Sequence, residues 1–173
     1  MDYRGTRSGG CCSRWGYSVF LCNTDESPAK LRDYIQAVLK KRVEGVMIAP
    51  YDMDAKNLSS LRAQNTPTVV IDRRVEGWEV DTVHVDSIAG ARSIVQHLIR
   101  YGEYRSNSGM FLTDQLLSEG LQPTVVSQSA YGMCVNVAQL ILSRINTRVS
   151  FQPRHVILPA RLIALFLWVD FKG

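Results

Sequence analysis

Short apolar runs alternate with segments of helical periodicity along most of this chain. The runs VEGVMIAP and TPTVVIDRR, at residues 43–50 and 66–74, predict strands, the first of them buried on both faces. Further strands are predicted at Tyr17–Cys22, in DTVHVD, in PTVVSQ and in the extended RHVILPARLI. Strands that alternate with helices of this length imply βαβ crossovers. The sequence therefore predicts an α/β fold with a three-layer, doubly wound and mostly parallel sheet.

Helix signals fill the intervals between these runs. Ser27 is a suitable N-cap, and Pro28 fits the first helical position that follows it. A short helix is predicted from Asp54 to Gln64 and a further helix over residues 129–145. A helix over residues 87–101, ended by Gly102, is expected to turn five apolar side chains inward: Ile88, Ala91, Val95, Leu98 and Ile99.

Composition excludes several classes of function. The chain has 46% hydrophobic and 21% charged residues and a net charge of +4, with its basic residues scattered rather than clustered as in a DNA-binding surface. It has no C-x-x-C motif, and the cysteines Cys22 and Cys134 have apolar neighbours that predict core positions. No apolar signal segment begins the chain, so we predict a cytoplasmic protein. The apolar run LIALFLWVDF is too short to span a membrane.

No arrangement of residues indicates catalysis. The sequence lacks a phosphate-binding glycine loop, a dinucleotide fingerprint, a zinc-protease motif and a nucleophile elbow. The histidines, His84, His97 and His155, are far apart along the chain and fit structural or surface roles. We therefore predict that the chain is not an enzyme and has no metal site and no cofactor.

Asp72 and Arg73 stand out because they come directly after a predicted buried strand. Open α/β sheets bind ligands outside the carboxyl ends of their strands. A carboxylate beside a planar guanidinium offers acceptors and donors that suit the neighbouring hydroxyls of a sugar. The alternative is a surface ion pair that opens a loop.

The run from GYSVFLCNTDESPAKLRDYIQ through TPTVVIDRR to VHVDSIAGARSIVQHLIRYG resembles the effector-sensing domain of the LacI/GalR family of bacterial transcriptional regulators. The later run from PTVVSQSAYGMC to PRHVILPARLI resembles the last part of the same domain. The resemblance covers residues 17–102 and about 121–163. It implies a type I periplasmic-binding-protein fold, in which two lobes close on a sugar or nucleobase, and a separate helix-turn-helix that binds DNA. It also implies that Asp72, Arg73 and Gln128 contact the ligand.

The chain departs from the family pattern in four places. No helix-turn-helix precedes residue 17, and residues 1–16 are unpatterned and predicted to be disordered. Residues 103–120 show no strand pattern, so we interpret them as a join that replaces the second lobe after the chain leaves the first at Gly102. Residues 164–173 form an apolar tail. We therefore expect a truncated sensing domain with low stability, a tendency to associate and weak or no sugar binding.

Three other interpretations remain open at this stage. A sugar-binding protein of a transport system shares the fold and the Asp-Arg pair. Another interpretation is a dimerisation module without a ligand, since regulators of this family form homodimers through these lobes. A small doubly wound enzyme would require a cluster of catalytic residues at the strand ends.

Overall fold

The computed structural model describes residues 12–13, 15–51, 54–101, 108–110, 124–147 and 152–163. The chain forms two compact units, Met1–His84 with Ala130–Ile157, and Val85–Ser129 with Leu158–Gly173. It passes from the first to the second between His84 and Val85, whereas the sequence analysis placed this exit at Gly102. That expectation was wrong because apolar periodicity marks a helix without showing which sheet it packs against.

The helices and strands alternate as the sequence predicted. In chain order they are α1 (Pro28–Lys40), β1 (Val46–Ile48), a 3-10 helix (Ala55–Leu58) running into α2 (Ser59–Ala63), β2 (Thr68–Ile71), β3 (Asp81–Val85), α3 (Ser87–Tyr101), β4 (Ser108–Met110), β5 (Thr124–Ser127), α4 (Ala130–Asn146), β6 (His155–Leu158) and β7 (Arg161–Ile163). The predicted end of α3 at Gly102 lies outside the described residues.

The first unit is built on a parallel sheet with helices on both faces. The strand order is β1-β2-β3-β6, and β2 runs parallel to both β1 and β3. Neighbouring residues Val69 and Val70 are both fully buried, and adjacent side chains of a strand point to opposite faces. Val70 packs in one cluster with residues of α1 and α2, while α4 contacts β1 and β2. The predicted three-layer α/β fold is confirmed.

Helix α1 begins at the position that was predicted from its capping residues. The Ser27 hydroxyl accepts a hydrogen bond from the backbone N–H of Lys30 at 3.4 Å, and Pro28 occupies the first helical position. Leu31 and Ile35, one turn apart, are buried in the core cluster of the first unit. This helix is thus defined by local sequence at its start and by core packing along its length.

A buried ion pair joins α4 to the start of β3. The Asp81 carboxylate accepts hydrogen bonds from Arg144 Nε at 2.6 Å and Nη2 at 2.7 Å, and from the Arg154 backbone N–H at 2.7 Å. Burial alone would raise the pKa of Asp81, but these hydrogen bonds outweigh it and hold the pKa below its usual value. The hydrogen bond to Asp81 likewise raises the pKa of Arg144. Residues 144 and 154 are thereby fixed to a strand far away in sequence.

The second unit contains a smaller sheet under α3. Its strand order is β4-β5-β7, with β4 parallel and β7 antiparallel to β5. Gly90 of α3 approaches the sheet so closely that a Cβ atom there would lie 2.9 Å from Val126 Cγ1 and 3.0 Å from Ala160 Cβ. Strand β4 lies within residues 103–120, so the expectation that this segment has no strand was wrong at 108–110.

The predicted buried strand at Tyr17–Cys22 is absent, because residues 17–24 have no ladder partner among the described strands. Phe20 is 77% and Leu21 72% exposed, and the Lys41 ammonium lies 5.8 Å from the centre of the Phe20 ring. Cys22, predicted to be a core residue, is exposed, and Cys134 is half-buried. Strand β1, predicted to be buried on both faces, is half-buried throughout. Burial of an apolar run is favourable, but a strand also needs a neighbouring strand with which its backbone N–H and C=O groups form hydrogen bonds.

The inward face of α3 also differs from the prediction. Ile94 and Gly90 are buried and Ala91 and Leu98 are half-buried. In contrast, three of the side chains predicted to face inward are exposed: Ile88, Val95 and Ile99. The close approach of Gly90 to the sheet sets this rotation, since a helix packs closest where its side chain is smallest.

Candidate functional site

Asp72 and Arg73 lie at the carboxyl edge of the parallel sheet, directly after β2. Asp72 has a left-handed backbone conformation with φ of +69°, which aspartate tolerates better than most residues. Its backbone N–H donates a hydrogen bond to the Val83 carbonyl at 2.8 Å, so the turn is held by the neighbouring strand β3. The Asp72 side chain is exposed and faces solvent at this edge.

The Arg73 side chain connects the ends of two neighbouring strands. Its Nη1 donates a hydrogen bond of 2.8 Å to the carbonyl oxygen of Tyr51, which follows β1. A guanidinium has several N–H donors in a rigid plane, so one bond to the backbone orients the group and leaves other donors for a ligand. Asp72 and Arg73 thus present a carboxylate and an oriented guanidinium side by side.

The pair lines an open cleft of about 560 Å³ in the first unit. This volume lies within the range typical of small-molecule sites, on the order of 300–1,000 Å³. The cleft is lined by the ends of β1 and β2 and by a polar turn: Asn23, Thr24, Asp25, Glu26, Ala49, Pro50, Tyr51, Ile71, Asp72 and Arg73. The position fits the rule that open parallel sheets bind ligands beyond the carboxyl ends of their strands.

The polar turn on one side of the cleft was not singled out from the sequence. Asn23 Nδ2 donates to Asp25 Oδ1 at 2.8 Å, and the Asn23 side-chain oxygen accepts from the Asp25 backbone N–H at 3.1 Å. Lys30 of α1 forms an ion pair with Asp25 whose hydrogen bond lowers the pKa of Asp25 and raises the pKa of Lys30. The run NTDESP signals a turn before a helix, but only the fold brings that turn beside the end of β2.

Gln128 lies at the end of a strand of the second unit. It follows β5 and is half-buried, and its backbone carbonyl accepts a hydrogen bond from the Ser127 hydroxyl at 3.5 Å. Gln128 belongs to the second unit, whereas Asp72 and Arg73 belong to the first. Within the first unit, the structure brings Asp72 and Arg73 together, and the ligand contact of Gln128 stays a prediction.

The histidines have different surroundings. His155 Nδ1 lies 2.7 Å from the Thr82 hydroxyl, and His155 Nε2 lies 3.7 Å from Glu79. Within the described part of the chain, the buried Nδ1 of His84 has no hydrogen-bond partner.

The described residues contain no group of three or more His, Cys, Asp or Glu residues able to hold a metal ion. They also contain no helix long and apolar enough to cross a membrane.

Residues 11–119 match the family model for periplasmic binding proteins and the sugar binding domain of the LacI family. The chain belongs to this family. Among curated LacI-family relatives, the transcriptional repressor PurR of Actinobacillus pleuropneumoniae is 34% identical over 91 residues. That match covers 53% of this chain but only 27% of the repressor, so the chain spans about a quarter of the relative's length.

Solved LacI-type structures show the same fold. One is a periplasmic binding protein/LacI transcriptional regulator from Alkaliphilus metalliredigens complexed with D-xylulofuranose, with a TM-score of 0.74 and 14% identity. Another is a LacI family regulator from Enterococcus faecalis with bound ribose, with a TM-score of 0.71 and 16% identity. Each comparison covers 91% of this chain and 90% of the other. The predicted type I periplasmic-binding-protein fold and the resemblance to the LacI family are confirmed.

Proposed function

We propose that this chain is a sugar-sensing domain of a LacI-type transcriptional regulator, with a small sugar as its effector. The observation that carries the proposal is the Asp72–Arg73 pair at the carboxyl edge of the sheet, held by Val83 and Tyr51 and facing a cleft. The ribose and D-xylulofuranose in related structures support a sugar as the class of effector.

The chemistry of the pair matches vicinal hydroxyl groups. The Asp72 carboxylate accepts hydrogen bonds from hydroxyl donors, and the Arg73 fork donates to hydroxyl or ring oxygens. Because a hydrogen bond to β3 holds the Asp72 backbone and a hydrogen bond to Tyr51 orients the Arg73 side chain, less conformational entropy is lost when a ligand binds. The cleft is open and polar, so a ligand stays partly solvated and the expected dissociation constant is about millimolar.

The proposal includes Gln128 as a third ligand contact. Its support is its place at the end of β5, where the chain returns to the first unit at Ala130. A regulator acts on DNA, so the proposal also places the protein in the cytoplasm. DNA binding through a helix-turn-helix, pairing of two copies and replacement of the second lobe by residues 103–120 stay predictions.

Titration of the labelled protein with ribose, xylose and a purine, followed by amide chemical shifts, tests the proposal. We expect shifts of residues around the cleft with ribose or xylose that saturate in the millimolar range. Asp72→Asn keeps a residue that tolerates positive φ while removing the charge, and Arg73→Ala removes the donor fork. Both variants should lose binding, whereas the adjacent exposed Arg74→Ala should retain it.

Two results would contradict the proposal. One is the absence of any cleft shifts with tens of millimolar of every sugar tested. The other is equal sugar affinity of the wild type, Asp72→Asn and Arg73→Ala. Saturation by the purine with no response to sugars would instead assign a nucleobase as the effector.

A further inference from the structure

The cleft at the carboxyl edge of the parallel sheet has an excess of negative charge. Of the described residues that line it, three carry a carboxylate, Asp25, Glu26 and Asp72, and one carries a guanidinium, Arg73. Lys30 forms an ion pair with Asp25, and Arg73 follows Asp72 in the chain. Glu26 therefore contributes the negative charge that exceeds the positive charges around the cleft.

The turn before α1 holds Glu26 at the cleft. The Ser27 N–H donates a hydrogen bond to the Thr24 carbonyl at 2.9 Å, which closes a four-residue turn around Asp25 and Glu26. These two residues have φ of +48° and +56°, as the central positions of a type I′ turn require. The Asn23 side chain bonds to both the backbone and the carboxylate of Asp25. The position of Glu26 is thus set by the backbone of the turn.

The N-terminus of α1 is largely satisfied by its own cap. A helix N-terminus binds anions through N–H groups that have no partner within the helix. Here the Ser27 hydroxyl accepts from the Lys30 N–H at 3.4 Å, the Ser27 carbonyl accepts from the Leu31 N–H at 3.0 Å, and Pro28 has no N–H. These three positions of the first turn therefore have no N–H left to bind a phosphate.

The cleft is small enough for the charges that line it to act on a ligand. A sphere with the cleft's volume of about 560 Å³ has a radius of about 5 Å, which is shorter than the Debye length of ~8 Å at physiological ionic strength. Salt therefore screens these charges only in part across the cleft. Arg73 attracts an anion, but one of its donors is directed to the Tyr51 carbonyl and the Asp72 carboxylate follows β2 beside it.

We propose that the cleft selects an uncharged sugar over its phosphorylated form, and that Glu26 determines this specificity. This selection rests on the proposed function, since it concerns the ligand of the same cleft. A phosphate monoester carries a charge between about −1.5 and −2 at neutral pH. Repulsion by an excess negative charge about 5 Å away should weaken binding of the phosphorylated sugar on the order of tenfold.

Titration at two salt concentrations tests the proposal. Ribose or xylose, whichever binds, is compared with its 5-phosphate through the amide shifts of the cleft residues. Between ~10 mM and ~1 M NaCl the Debye length falls from about 30 Å to about 3 Å, so the phosphorylated sugar should bind more tightly as salt is added. The affinity of the neutral sugar should not depend on salt.

Two substitutions assign the effect to Glu26. Glu26→Gln removes the charge and retains the shape, so the preference for the neutral sugar should fall from about tenfold to a few-fold. Glu44→Gln is the matched control, because Glu44 is exposed and precedes β1, at the opposite edge of the sheet from the cleft. It should leave the preference at the wild-type value.

The sign of the salt effect separates repulsion from recruitment of the phosphate by Arg73. If the 5-phosphate binds more tightly than the sugar and salt weakens its binding, the selection is overturned while the cleft remains a sugar site. An unchanged preference in Glu26→Gln would also overturn it. Absence of binding by both sugars and both phosphates at tens of millimolar would overturn the selection together with the proposed function.

Discussion

Replacing Arg144 with methionine tests whether the buried ion pair holds α4 against β3. The Asp81 side chain is 1% and the Arg144 side chain 15% exposed, so loss of Arg144 leaves a carboxylate shielded from water. Methionine retains an unbranched apolar side chain but removes both donors, leaving Asp81 with the Arg154 N–H. Removal of one partner from a buried pair typically destabilises by about 3–5 kcal/mol, and we expect a loss of unfolding free energy in this range.

The double variant Asp81→Asn with Arg144→Met shows whether the unpaired charge of Asp81 causes the destabilisation. Asparagine is neutral, and its side-chain oxygen can still accept from the Arg154 N–H. The double variant should therefore be more stable than Arg144→Met alone, although it lacks both charged groups of the ion pair. Urea unfolding followed by far-UV circular dichroism at neutral pH measures all three free energies.

An exposed ion pair provides the matched control. Lys30→Met breaks the contact with Asp25, and because both groups are exposed to solvent, we expect little change in the unfolding free energy. The reasoning would be refuted if Arg144→Met destabilised by less than about 1 kcal/mol. It would also be refuted if the double variant were no more stable than the single one.

Two further predictions concern the same interactions and the second unit. Because the folded pKa of Asp81 is below its unfolded value of ~3.9, its stabilisation is complete above that value and is lost as the pH falls through the folded pKa. The difference in unfolding free energy between wild type and Asp81→Asn should thus be constant near neutral pH and shrink below about pH 4; a difference that grows on acidification would contradict this. Gly90→Ala should destabilise by about 1–3 kcal/mol, since the new Cβ meets Val126 and Ala160, and a neutral effect in thermal unfolding would argue against the close approach.

Only part of the candidate site was predictable from the sequence. Asp72 and Arg73 could be identified because they follow an apolar run that could be recognised as a buried strand. The hydrogen bond from Arg73 to Tyr51 could not be predicted, and neither could the position of the turn at residues 23–26 beside the end of β2. Both depend on contacts between segments that are remote in sequence. Such contacts depend on strand order, which apolar patterns do not specify.

Local chemistry determined where most elements begin and which type they are. Ser27 and Pro28 start α1 because they satisfy or remove N–H groups at the helix terminus. Val69 and Val70 form a strand because β-branched side chains suit a sheet covered on both faces. These effects act within a few residues, so the sequence contains the information directly.

The tertiary structure decided whether an apolar segment became buried and which side of a helix faced inward. Residues 17–24 form no strand because they have no ladder partner among the described strands, although their composition is apolar enough. Three apolar side chains of α3 are exposed because Gly90, not a larger side chain, allows the closest approach to Val126 and Ala160. Hydrophobicity favours burial of a side chain, but backbone hydrogen bonding and shape select the partner against which it is buried.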